Sequence, residues 1–161
     1  MAKTQLRFVP SSLDDVLAQP LLAELAVEYA TRYDRPVPMV AAWLTDNPTD
    51  EFASPDGGML IGLLDGQPVT GGGFRRFDAQ TAELKRIWTD SAHRRRGYAA
   101  ALLAELEAEI AARGYRRIYL MTGDRQPEAE ELYLATGYTR LPGPLPSEGP
   151  VFPVAFEKWL A

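Results

Sequence analysis

Residues 93–110 read HRRRGYAAALLAELEAEI, three arginines and a glycine set directly before a run of alanine, leucine and glutamate. Arg94, Arg95 and Arg96 concentrate positive charge at the mouth of a strong helix, and Gly97 adds backbone freedom. A helix beginning at Gly97 or Tyr98 presents unpaired N–H groups and the positive end of its dipole, and glycine lets a ligand approach the backbone closely. An acceptor with several oxygens, a pyrophosphate above all, would satisfy these donors together.

The rest of the chain narrows the chemistry. A formal net charge of −5 over 161 residues argues against a general nucleic-acid binder, so the arginine cluster is read as local, serving a small anion. No cysteine is present, which excludes disulfides, zinc thiolates and cysteine nucleophiles. His93 is the only histidine, so multi-histidine metal sites are excluded too, and we expect no metal. No run approaches a membrane span and residues 1–10 lack an apolar core, so a cytoplasmic protein without membrane contact is expected. The known phosphate loops fail on spacing. There is no GxxxxGK[ST], and TGGGF at residues 70–74 lacks the helix that a dinucleotide fingerprint requires.

Those residues need elements to position them. Residues 4–10 alternate like a short strand, and Leu22, Leu25, Ala26, Tyr29 and Tyr33 recur at helical spacing, giving one or two helices closed by Pro36 and Pro38. Residues 46–58 read as loop. Two strands follow around the turn pair Asp65-Gly66, then a third over residues 81–89, whose alternation slips at Lys85 and Arg86 and suggests a bulge or a strand buried on both faces. A helix over residues 98–113 carries the stripe Ala99, Leu102, Leu103, Leu106 and Ile110, and Gly114 stops it. A strand at residues 115–123, a short helix opened by Pro127 and ended by Gly137, and two final strands complete a mixed α/β chain, residues 1–161, in one domain.

Arg94-x-x-Gly97-x-Ala99 on a strand-to-helix turn, followed by QPEAEELYLATGY, resembles the GNAT superfamily of N-acetyltransferases over residues 58–159. The resemblance implies an α+β fold: a mixed, mostly antiparallel twisted sheet of about seven strands, splayed at a bulged fourth strand and flanked by about four helices, with acetyl-CoA in the splay. By position, Arg94, Arg95, Arg96, Gly97, Tyr98 and Ala99 would hold the pyrophosphate. Ile87 and Thr89 would offer main-chain groups to the pantetheine arm, and Gln126 stands where the family often has an asparagine contacting that arm. Arg95 stands where glycine is frequent, and Ser91 where proline is.

The implied reaction moves an acetyl group from acetyl-CoA to a primary amine by direct attack through a tetrahedral intermediate. A backbone N–H near Ile87 would stabilise the oxyanion, and Tyr133, near the thioester sulfur, would be the general acid. Glu83 is the candidate base. A non-catalytic acyl-CoA-binding module of the same fold is the alternative, and a nucleotide-binding protein ranks below both. The acceptor, a small molecule or peptide amine, is left open. Glu24, Glu28, Asp34, Asp50 and Glu51 would suit a cationic amine, and equally plain solubility. Residues 151–160 offer an apolar strand that could pair across a homodimer.

Overall fold

The computed structural model describes residues 6–45, 51–147 and 151–161. Residues 4–5 of the expected first strand and residues 46–50 of the expected loop, Asp50 among them, lie outside the described residues.

Seven strands form one sheet in the order β1-β2-β3-β4-β5-β7-β6: β1 Leu6–Pro10, β2 Gly58–Leu64, β3 Gln67–Arg76, β4 Thr81–Thr89, β5 Arg117–Thr122, β6 Thr139–Arg140 and β7 Val154–Trp159. The first four make an antiparallel meander, and the β2–β3 turn is Asp65-Gly66, both at positive φ. Helix α3 (Tyr98–Ala112) carries the chain from β4 to β5, which lie parallel, as a crossover helix requires. Strand β7 lies between β5 and β6.

Each face of the sheet buries a core because strand side chains alternate. Leu60, Phe74, Leu84 and Leu120 pack with Leu102, Leu103, Leu106 and Ile110 of α3 and Tyr133 of α4 (Pro127–Ala135). Met59, Ile61, Leu63 and Trp88 face the other way, onto Leu21, Leu25 and Ala26 of α1 (Gln19–Tyr33) and Val40 and Leu44 of α2 (Val37–Thr45). Each fully buried leucine contributes roughly 1.5–3 kcal/mol through burial, so these stripes hold the helices in place.

The expected closure of the first helical region by Pro36 and Pro38 is corrected. Asp34, at φ 53°, ends α1, and Pro38 occupies the first turn of α2. Proline is tolerated there because first-turn N–H groups have no intrahelical acceptor. Among the described residues no helix is long and apolar enough to cross a membrane.

Candidate functional site

Strands β4 and β5 pair over only three positions, Thr81 with Arg117, Ala82 with Ile118 and Glu83 with Tyr119. Beyond them the strands part. The cause lies in β4, where Gly71 pairs with Trp88 and Gly73 with Lys85, so that Arg86 and Ile87 together oppose one residue of β3. Arg86 takes φ 61° at this bulge, which redirects the strand away from β5. The alternation slip at Lys85 and Arg86 marks this feature in the sequence.

The parted strands open a cleft of about 1190 Å³, walled by α1, α2, β4, the Arg94–Ala99 turn, β5 and α4. Ile87 and Thr89 border it on the edge of β4 that β5 no longer covers. At the far end of β4, a short turn at Ser91–His93 leads to Gly97, the N-cap of α3, at φ 82°. Gly97 has no side chain with which to cap the helix, so the first N–H groups of α3 have no intrahelical or side-chain acceptor. Gly97, Tyr98 and Ala99 all border the cleft.

The three arginines differ. Arg94 and Arg95 border the cleft, whereas Arg96 is exposed and stands outside its wall. Arg94 is turned toward α1, with Nη2 3.1 Å from Glu28 and 3.9 Å from Glu24. Glu24 also accepts from the Ser91 N–H at 2.7 Å. Helix α1 is fastened to the opposite rim as well. Arg32 pairs with Glu128 and donates to the Arg125 carbonyl at 2.7 Å, and Tyr33 Oη accepts from Gln126 Nε2 at 3.3 Å. Gln126 therefore borders the cleft with its amide already engaged.

Tyr133 borders the cleft and is buried against Tyr138 and Phe156, with ring centroids 5.6 and 5.5 Å away. Burial raises its phenol well above the usual tyrosine value. Glu83 is placed otherwise. It is buried and stands outside the cleft wall, bonded to Arg75 Nε at 3.1 Å and 3.6 Å from Lys85 Nζ. The acidic residues near the site are similarly engaged: Glu24 and Glu28 by Arg94, and Glu51 by Arg75 at 2.5 Å.

Helices α1 and α2 supply further wall residues. Tyr29, Tyr33 and Trp43 line the cleft, and burial pushes Tyr29 up to about 12. The i, i+4, i+8 spacing of Leu25, Tyr29 and Tyr33 was the available signal, but it reads equally well as a core stripe. Arg86 also lines the cleft, stacked 5.4 Å from the Trp43 ring.

An open sheet parted at a bulged fourth strand, with the N-terminus of α3 at the mouth of the gap, is the arrangement that the resemblance to acyl-CoA-dependent GNAT transferases implies. The model of the acetyltransferase (GNAT) family matches residues 22–138, and the chain belongs to that family. Its fold is similar to that of a GNAT-family acetyltransferase from Staphylococcus aureus Mu50, at TM-score 0.80 and 17% identity, covering 98% of this chain and 100% of that one. It is similar too to the PaiA N-acetyltransferase of Thermoplasma acidophilum in complex with coenzyme A, at TM-score 0.74 and 14% identity, with 97% and 99% covered. A GNAT-family acetyltransferase from Elizabethkingia anophelis with acetyl-CoA bound aligns at TM-score 0.62 and 16% identity, with 96% and 98% covered. No curated protein matches the chain significantly.

Proposed function

We propose that this chain transfers the acetyl group of acetyl-CoA to a primary amine. One observation carries the reading: the uncovered edge of β4 runs into the uncapped, arginine-flanked N-terminus of α3. An extended amide chain ending in a pyrophosphate is complementary to that combination, because the strand edge offers alternating donors and acceptors and the helix start offers donors alone. The residues present therefore fit acetyl-CoA. Ile87 and Thr89 would hold the pantetheine arm through their main chain. Gly97, Tyr98 and Ala99 would hold the pyrophosphate through N–H groups, with Arg94, Arg95 and Arg96 adding charge.

Acetyl-CoA supplies an activated thioester carbonyl. The chain orients it, shields it from water between α1 and α4, and keeps a proton on Tyr133 Oη for the leaving group. A neutral amine attacks a thioester without a base in contact with it. Glu83, locked to Arg75 and Lys85, has the lesser part of holding the Lys85 side chain at the cleft wall, and the amine proton leaves to cleft water.

Calorimetric titration of acetyl-CoA, CoA, acetate and ATP, followed by an amine screen for thiol release, tests the reading. Tight binding of both CoA species, amine-dependent thiol release, and a turnover reduced at least tenfold in Tyr133→Phe with acetyl-CoA affinity kept would support it. CoA binding with no amine turned over would leave a non-catalytic acyl-CoA-binding module, and no CoA binding would sink both.

A further inference from the structure

Arg86 is only 7% exposed, yet it makes no ion pair among the described residues. Its Nη2 donates to the Leu44 carbonyl at 3.2 Å, and its Nε is buried with no acceptor among the described residues. Of the described carboxylates of that region, Glu51 and Glu83 are both engaged by Arg75. Trp88 Nε1, two residues along β4, is likewise buried without an acceptor. A guanidinium is costly to bury unpaired, and burial lowers its pKa. It is also held at φ 61°, a conformation that glycine or asparagine would adopt at less cost. Structure that retains a charged side chain against both costs, on the wall of a cleft, is arranged to receive an anion.

The anion is not the one held at α3. Arg86 sits at the bulge, in the part of the cleft walled by Tyr29, Trp43 and Phe152, with Trp43 stacked on its guanidinium and Phe152 5.9 Å from Trp43. The planar fork of arginine matches a carboxylate, and the aromatic wall matches an apolar body. On the reading that the chain acetylates an amine, we infer that the acceptor is an aminocarboxylate with an apolar or aromatic side chain, and that Arg86 recognises its carboxylate. Glu24, Glu28 and Glu51, which would otherwise draw in a purely cationic amine, are consumed in ion pairs.

The test compares L-phenylalanine and L-leucine with their carboxamides, each titrated into the protein saturated with CoA and assayed for thiol release with acetyl-CoA. The free acids should bind at least tenfold more tightly than the carboxamides. Arg86→Gln should abolish that preference, while Arg86→Lys, which keeps a charge without the fork, should keep part of it. Melting temperature and acetyl-CoA affinity report whether each variant is folded. Equal binding of acids and amides, or a preference that survives in a folded Arg86→Gln, would overturn the inference. If acids are preferred through Arg86 but no thiol is released, the site stands and the transfer reading fails. If amines are acetylated regardless of a carboxylate, transfer stands and the Arg86 assignment fails.

Discussion

The hydroxyl of Tyr33 occupies the space that a side chain on Gly123 would fill. Tyr33 ends α1 and Gly123 follows β5, so the contact closes one rim of the cleft, and it is reinforced where Tyr33 Oη accepts from the Arg125 N–H at 3.4 Å and from Gln126. Even a methyl group at position 123 must displace the tyrosine ring. Gly123→Ala should cost about 1–3 kcal/mol, as overpacking does, and should also weaken CoA binding by separating α1 from the α4 turn. Chemical denaturation and calorimetry read the two effects. A variant of unchanged stability would mean that the ring finds another seat without loss.

Gly97 and Gly66 form a matched pair. Both have positive φ, 82° and 79°, and a Cβ at either would meet nothing within 4 Å. Alanine at each should therefore cost the same, about 1 kcal/mol of backbone strain. Only Gly97 borders the cleft. Gly97→Ala should weaken CoA binding at least tenfold and Gly66→Ala not at all, by calorimetry. Equal CoA affinities in the two variants would remove the α3 N-terminus from the anion site.

Glu28 stands between two arginines, 3.1 Å from Arg94 and 3.1 Å from Arg32. Partly exposed ion pairs contribute little, so Glu28→Gln should change stability by less than about 1 kcal/mol. Its effect on ligand binding should be larger, because it releases Arg94 and removes a negative charge from the rim. CoA affinity should rise several-fold at low salt, with the gain shrinking as salt screens it. An affinity unchanged at every salt concentration would show that Arg94 does not act on the ligand.

What the sequence disclosed follows from how local each feature is. The stripe Leu102, Leu103, Leu106 and Ile110, the Asp65-Gly66 turn and the broken alternation at Arg86 are each written within a few residues, and each led to the right element. Helix α2 was hidden because Pro38 reads as a stop when only the residues before it are considered, yet it fits a first turn. The state of Glu83 was hidden for another reason. Its partner Arg75 lies on the neighbouring strand, and Arg94 meets Glu28 66 positions away, so which charges are free and which are spent depends on tertiary pairing alone. The same holds for Arg86, which meets no ionic partner among the described residues although Glu51 lies near it in the fold.

Tyr133 and Tyr138 are buried face to edge, and burial raises both phenols well above their ordinary value, with Glu107 raising Tyr138 further through a 2.9 Å hydrogen bond. In the unfolded chain both ionise near pH 10. Above that pH the native state binds more protons than the unfolded state, so stability falls as pH rises, having been fully present below about 10. Each phenol contributes on the order of 1.4 kcal/mol per pH unit to that decline until its own folded pKa is reached. Urea midpoints from pH 9 to 11 should therefore fall, and Tyr133→Phe should fall less steeply by one proton's worth. An identical slope in wild type and variant would mean that the Tyr133 phenol ionises as readily folded as unfolded. It would then lose its proton in the pH range of an ordinary tyrosine, still carrying it at neutral pH, where the leaving group needs it.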